Sequence, residues 1–410
     1  MKKVLCLLLT LVMILSSVTF ISSAVFENEP KLQFGEDGKF TILQISDIQD
    51  GLFFCSLTKR FITDLLDNVQ PDLVVLTGDN IGPRGAHFDW SNKLLIKKFM
   101  SIFEEKGVKV AAVFGNHDAE NHFGKDEQFE VYKSYSCFIG AETEEAKELT
   151  GCGTYNIPIM SSDDETRKAF NLWFFDSQEY NTENDLGGYG CVAKDQIEWY
   201  EKTEAALTEE NGGTPIPSFA FQHIIIPEFF EVFEEIPEIR NEHTEYSFEK
   251  DGKFYLLPEE YRNEDTFVNE TCCPPEYSNG QADSLIENGN VLGIAVGHDH
   301  KNSFVVPYKT LDIVQTPTVG LCAYGDINRG ARVITLSEDD LSAYETNVIF
   351  LREYYDLEEP ALHNHFIANN GYDSHSVPER LVALFKWGYH SAIDGIEAFL
   401  AKRGFEITLN

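Results

Sequence analysis

Apolar runs and helix-periodic stretches alternate through the first part of the chain. From Phe40 to Ile45 the run FTILQI predicts a strand, and Thr58 to Val69 carries apolar residues at helical spacing until Pro71 stops it. Asp72 to Thr77 (DLVVLT) then predicts a second, fully buried strand. Strand, helix and buried strand make a βαβ unit with parallel pairing. The cycle repeats with Ser91 to Lys106, where Leu94, Leu95, Ile96, Phe99, Ile102 and Phe103 form an apolar stripe, followed by a strand from Val108 to Phe114. After an irregular acidic stretch through Asp164, a strand is expected from Asn171 to Phe175, a helix from Lys194 to Leu207 and a strand from Ser218 to Phe221. The strand Val291 to Val296 follows, and Phe304 to Val306, Leu311 to Gln315 and Val333 to Leu336 read as antiparallel strands.

The organisation expected is one α/β domain over residues 36–350, with a tail over 351–410 that carries a helix from Pro378 to Lys402. Residues 227–280 turn acidic, aromatic and turn-rich, with Asp251-Gly252 as a hairpin signal, and read as an insertion over the site.

Charge and cysteine content change the picture in two ways. The formal net charge is -36, from 68 acidic against 32 basic residues, which argues against binding duplex nucleic acid. Residues 1–24 have the form of a secretory signal: Lys2 and Lys3, an apolar stretch from Val4 to Leu15, then Ser22-Ser23-Ala24. A secreted or extracytoplasmic protein without a stable membrane span is therefore expected, because the apolar core is shorter than the ~20 residues of a spanning helix. Seven cysteines remain after the signal, at positions 55, 137, 152, 191, 272, 273 and 322, with no metal-type CxxC spacing. Most read as buried thiols, with Cys137 to Cys152 as one bridge candidate.

Five of the apolar runs stop at residues that can hold a metal. They run into Asp47, Asp79, Asn116, His223 and Gly297-His298-Asp299-His300. Oxygen and imidazole donors at the ends of separate strands are what a two-metal hydrolytic centre needs, since they must converge on one small pocket. Asp47 and Gln49 lie two apart at a strand end and can address one ion, whereas His298 and His300, also two apart, can place one imidazole on each cation. Asp79 is placed to bridge, because one carboxylate can hold two cations ~3.5–4 Å apart.

Taken in order, Ser46-Asp47-Ile48-Gln49, Gly78-Asp79-Asn80, Gly115-Asn116-His117-Asp118, Gln222-His223 and Gly297-His298-Asp299-His300 resemble the motifs of calcineurin-like metallophosphoesterases. The GYG segment at Gly188 to Gly190 and the His223, Ile224, Pro227 and Glu228 pattern resemble the single-domain purple-acid-phosphatase-like branch. The resemblance covers about residues 40–337 and implies a four-layer α-β-β-α sandwich of two mixed sheets flanked by helices. It further implies two divalent or mixed-valence ions, with Mn, Fe and Zn not distinguished, and hydrolysis of a small phosphate ester. In that scheme a metal-bridging hydroxide attacks phosphorus. Asp47, Gln49 and His300 fall on the first metal, Asp79 bridges, and Asn116, His223 and His298 fall on the second. His117 matches the general acid, with Asp118 placed to orient its ring.

Two positions depart from the family pattern. Gln49 stands where a histidine is usual, which leaves a catalytically silent metal-holding protein as a rival to a phosphomonoesterase or phosphodiesterase. Position 82 is glycine rather than the tyrosine of true purple acid phosphatases, so no tyrosinate-iron colour is expected. Of the remaining histidines, His87, His122, His243, His363, His365, His375 and His390 are expected at the surface. Tyr324, Arg329 and Arg332 lie in a segment within reach of a phosphate.

Overall fold

The computed structural model describes residues 31–401, apart from 52–53, 83–87, 121, 357 and 371–376. The fold and the site belong to the unit Gln33–Asn410. The segment expected as an export signal lies outside the described residues, as do His87 and His375. No described helix is long and apolar enough to cross a membrane.

The amino-terminal half holds strands β1 (Leu32–Gln33), β2 (Lys39–Ile45), β3 (Leu73–Thr77), β4 (Lys109–Val113), β5 (Tyr155–Met160), β6 (Lys168–Phe174) and β7 (Ser218–Phe221). Between them run helices α1 (Ser56–Val69), α2 (Asp89–Lys106), α3 (Lys125–Lys133) and α4 (Lys194–Glu210). The insertion contributes β8 (Glu234–Ile236), β9 (Ser247–Lys250), β10 (Lys253–Leu256) and β11 (Phe267–Val268). There follow α5 (Gln281–Glu287), β12 (Val291–Val296), β13 (Asn302–Tyr308), β14 (Leu311–Gln315), β15 (Gly330–Ser337) and β16 (Asp340–Phe350). The tail ends in α6 (Pro360–Asn370) and α7 (Val377–Ala401).

Two mixed sheets, flanked by helices, form the four-layer sandwich. The five-stranded sheet runs β16-β15-β2-β3-β4 and the eight-stranded sheet β1-β5-β6-β7-β12-β14-β13-β11. In the first, β2, β3 and β4 are parallel, with Ile45 opposite Leu76 and Thr77 opposite Val113. In the second, β6, β7, β12 and β14 are parallel. β3 is buried at every position, and apolar at all but Thr77, because both faces of its sheet are covered. The two parallel blocks end side by side, and Gln44 crosses between the sheets to donate to Val296 O at 3.1 Å.

Several expectations change. The stretch through Asp164 contains α3 and β5; the alternation in YNIPIM is blurred by Pro158 and by half-exposed positions. Leu311–Gln315 is antiparallel to β13 but parallel to β12, and β15 belongs to the other sheet, between β2 and β16. The insertion forms its own sheet, β8-β10-β9, and sends β11 to the edge of the larger one. Its aromatics pin it down: Phe248 stacks on Tyr255 at 5.2 Å and Phe233 meets Phe304 edge-on at 5.5 Å.

Cys137 and Cys152 are not bridged, and all seven described cysteines are free thiols. Separate carboxylates hold the two backbones: Cys137 N–H donates to Glu104 at 3.0 Å and Cys152 N–H to Asp176 at 2.9 Å. His365 is fully buried rather than at the surface, with Nε2 2.7 Å from Leu321 O and Trp387 against its ring.

Candidate metal centre

The parallel register sets the positions of the donors. Because β2, β3 and β4 end level with one another, Asp47, Asp79 and Asn116 emerge at one rim. Because Ala295 pairs with Phe221, His223 and His298 emerge at the facing rim. Sharp turns then aim the side chains inward. Asp47, Gln49, Asp79 and His298 all have positive φ, at 54°, 37°, 49° and 72°. Each such turn costs a non-glycine residue ~1–3 kcal/mol and persists only where the surroundings enforce it. Two glycines permit the close approach: a Cβ on Gly115 would lie 2.2 Å from Asp79 Oδ1, and one on Gly297 1.7 Å from Ser46 Oγ.

Six of the expected donors meet in one buried cluster. Asp47, Asp79, Asn116, His223, His298 and His300 are each less than a tenth exposed. His300 Nε2 lies 3.2 Å from Asp47 Oδ1 and His223 Nε2 3.4 Å from Asp79 Oδ2. The His223 and His298 rings are 5.1 Å apart, so the second rim closes on the first. The far nitrogens are anchored: His223 Nδ1 is 2.8 Å from Thr77 O and His300 Nδ1 2.7 Å from Tyr324 O. Such anchoring fixes ring orientation and the tautomer that presents Nε2. Asp299 turns away and accepts the Cys273 N–H at 3.2 Å.

The electrostatics follow from burial of opposite charges. Burial opposes charge on both partners, yet the Asp79 carboxylate and His223 imidazolium outweigh it for each other, lowering Asp79 and raising His223 to about 10. His298, buried and beside His223, is pushed down to about 3 and stays neutral.

His117 reaches the cluster by its backbone N–H, which donates to Asp79 Oδ1 at 2.8 Å. Its ring is held by a residue not anticipated: Nδ1 lies 2.8 Å from Glu120 Oε2, and Glu120 Oε1 accepts the Tyr180 hydroxyl at 2.7 Å. Asp118, expected to orient that ring, is buried and accepts the N–H groups of Ile81 at 2.9 Å and Gly115 at 2.8 Å. It braces the turns instead. Tyr189, edge-on to His298 at 4.4 Å, and Tyr324, stacked on His300 at 4.0 Å, wall the cluster. Tyr189 lies in the GYG segment, whereas Glu120 and Tyr180 carried no motif of their own, although Glu120 sits three residues after His117, where a short helical turn can bring the two together.

Gln49 is half-buried at the edge, and its Nε2 donates to Asp79 Oδ2 at 2.7 Å. Arg329 and Arg332 do not reach toward a phosphate. Both are buried, Arg329 donating to Gly320 O and Ala323 O and Arg332 to Gln315 O and Ser303, because each holds a loop behind the site.

The residues present fit a pair of hard-to-borderline cations. Asn116 Oδ1 is buried without a hydrogen-bond partner, and Asp47 Oδ1 and His223 Nε2 are buried with only their ion-pair contacts to His300 and Asp79 inside the cluster. Carboxylate, amide oxygen and imidazole together form an O/N set suited to first-row divalent ions. Asp47, Asp79 and His223 bring ligand atoms within 4.8 Å of one another.

Comparison with known proteins identifies the family. The profile of the family described as Calcineurin-like phosphoesterase matches residues 40–302. An Arabidopsis thaliana protein named "Probable inactive purple acid phosphatase 29" is 27% identical over 340 residues, 75% of this chain and 79% of its own length. "Phosphatase DCR2" of Saccharomyces cerevisiae is 26% identical over 293 residues, 67% of this chain and 46% of its own. Among solved structures, a dimetal phosphatase from Danio rerio aligns over 76% of this chain and 98% of its own, with a TM-score of 0.46 and 12% identity.

Proposed function

Because this chain belongs to the calcineurin-like phosphoesterases, we propose that it is an exported hydrolase of small phosphate monoesters that works with two metal ions. The observation that carries this reading is the convergence of six buried donors from five strand ends, with His300 against Asp47 and His223 against Asp79 and no counter-charge from Lys or Arg among them. A buried polar atom left unpaired costs ~1–3 kcal/mol, and a cation would remove that cost at Asn116 Oδ1 while compensating the two buried carboxylates. Asp47, Gln49 and His300 would hold one ion, Asn116, His223 and His298 the other, and Asp79 both. When bound, the ions supply Lewis-acid polarisation of the phosphoryl oxygen and a water of lowered pKa.

The chain's own residues supply the rest. Glu120 fixes Nδ1 of His117 and so aims the opposite nitrogen as the proton donor to the departing alkoxide. Tyr180 holds Glu120 in that position. Tyr189 and Tyr324 cover the imidazoles of His298 and His300 and keep bulk water off them.

Gln49 favours a second reading. Its amide N–H faces Asp79 where an imidazole acceptor is usual, and a chain that holds ions without turnover would tolerate that exchange. The names of the Arabidopsis relatives are consistent with it. Protein purified without chelators decides between the two. The leading reading expects two ions per chain and release of phosphate from an aryl monoester, lost on chelation and restored by Mn²⁺, Fe²⁺ or Zn²⁺. Two bound ions with no turnover of mono- or diesters select the silent protein, and faster diester cleavage selects a phosphodiesterase. Export is tested by amino-terminal sequencing of the protein recovered outside the cytoplasm, which should begin after Ala24.

A further inference from the structure

Beside the phosphoesterase centre a second group of metal-type side chains converges, and the reaction uses none of them. The thiols of Cys55 and Cys322 and a carboxylate oxygen of Asp50 lie within 4.8 Å of one another. The Cys55 Sγ is also 4.0 Å from His365 Nε2. We propose that Asp50, Cys55, Cys322 and His365 form a separate cation site that takes a borderline-soft divalent ion such as Zn²⁺.

Three features support it. The first is donor chemistry: two thiols, an imidazole and a carboxylate make a four-donor set of the kind that closes a tetrahedral zinc site, whereas the phosphoesterase cluster offers oxygen and nitrogen alone. The second is burial, since Asp50, Cys55 and His365 are 2%, 7% and 0% exposed. The third is independent scaffolding of the three segments involved. Thr58 of α1 accepts the Leu321 N–H at 3.2 Å, and His365 of α6 lies 2.7 Å from Leu321 O. Asp50 is oriented by the N–H groups of Gly51 at 2.7 Å and Cys55 at 2.9 Å. The donors are thus held close before any ion arrives, and zinc bond lengths ask for separations of about 3.3–3.8 Å.

Loading is balanced by protons. Each thiol loses one as it ligates, and His365, whose Nε2–H donates to Leu321 O in the empty site, gives up that bond as its proton passes to Nδ1 and Nε2 turns to the ion. The ion would clasp α6, in a tail outside the hydrolytic machinery, to the segment immediately after Gln49. It fixes the position of that turn from behind.

The test uses the full chain and needs no phosphate-ester turnover, so it stands apart from the fate of the hydrolase reading. Co²⁺-loaded protein should show a near-ultraviolet thiolate-to-cobalt charge-transfer band that persists in Asp79→Asn and disappears in Cys55→Ser and in Cys322→Ser. Each cysteine variant should bind one ion fewer per chain. In wild-type protein, which needs no variant to fold, Zn²⁺ should slow alkylation of Cys55 and Cys322 at least tenfold and leave Cys137 unaffected. Absence of the band, its survival in both serine variants, or unprotected alkylation overturns the proposal. So does peptide mapping that finds Cys55 joined to Cys322 as a disulfide in the protein as isolated.

Discussion

Glu120 shows how much of the centre depends on single contacts outside the recognisable motifs. It touches the His117 ring on one oxygen and the Tyr180 hydroxyl on the other, so Glu120→Gln removes the charge that orients the proton donor. Loss of such an orienting partner typically costs 10–100-fold. The loss in kcat should be larger for alkyl than for nitrophenyl phosphates, because a good leaving group needs no proton; equal losses for both would assign Glu120 a merely structural role. His223 carries a second prediction. In metal-free protein its imidazole, although burial opposes the charge, is raised to about 10 by Asp79, whereas an unfolded histidine titrates near ~6.5. A raised folded value stabilises the fold fully below pH ~6.5 and is lost as pH rises through about 10. The melting temperature of the metal-free protein should therefore fall between pH 7 and 10. Adding ions to it at pH 8 should release protons, measurable by pH-stat, since a ligating imidazole must be neutral. Gln49→His should tighten metal binding, read by competition with a chelator, because imidazole is the stronger donor for first-row ions.

Elements whose apolar period was unbroken were legible in the sequence, and so were the donors at their ends. The run DLVVLT could be little other than a buried strand, and Ser218–Phe221 and Val291–Val296 fall where the pattern placed them. β16 escaped notice because it is an edge strand, largely exposed along DLSAYETN, with few apolar side chains to mark its alternation. Pro158 hid β5, which tolerates it because Pro158 faces Asn171 across a strand pair near the sheet margin. Asp118 was misread for a different reason: spacing put it beside His117, but only the packed turns show that its two oxygens are taken by Gly115 and Ile81. Glycine placement at these strand ends is testable. Gly115→Ala drives a Cβ to 2.6 Å from the Asp79 backbone nitrogen and to 2.2 Å from its carboxylate. It should lower both melting temperature and bound metal. Gly388→Ala, in α7 with nothing within 4 Å of the added Cβ, should leave metal content unchanged and gain ~0.5–1 kcal/mol of helix stability.

At the scale of the molecule, the chain carries a formal charge of -36, and the proposed phosphate monoester is itself a dianion. Repulsion of that kind is long-ranged and screened over ~10 Å at 0.1 M salt. The KM for a small phosphate monoester should therefore fall as NaCl rises from ~10 to ~150 mM, with kcat nearly constant; a KM that climbs instead would mean that local positive potential dominates at the mouth. Architecture has a further effect through the division of labour between sheets. Asp47, Asp79 and Asn116 follow strands of the five-stranded sheet, while His223, His298 and His300 follow strands of the eight-stranded one. A ribosome that has synthesised the first two hundred residues has made half a ligand set and no pocket. The nascent polypeptide thus stays inert until residue 300 has emerged and the two halves have closed on each other, which couples the onset of metal capture to the meeting of the two sheets.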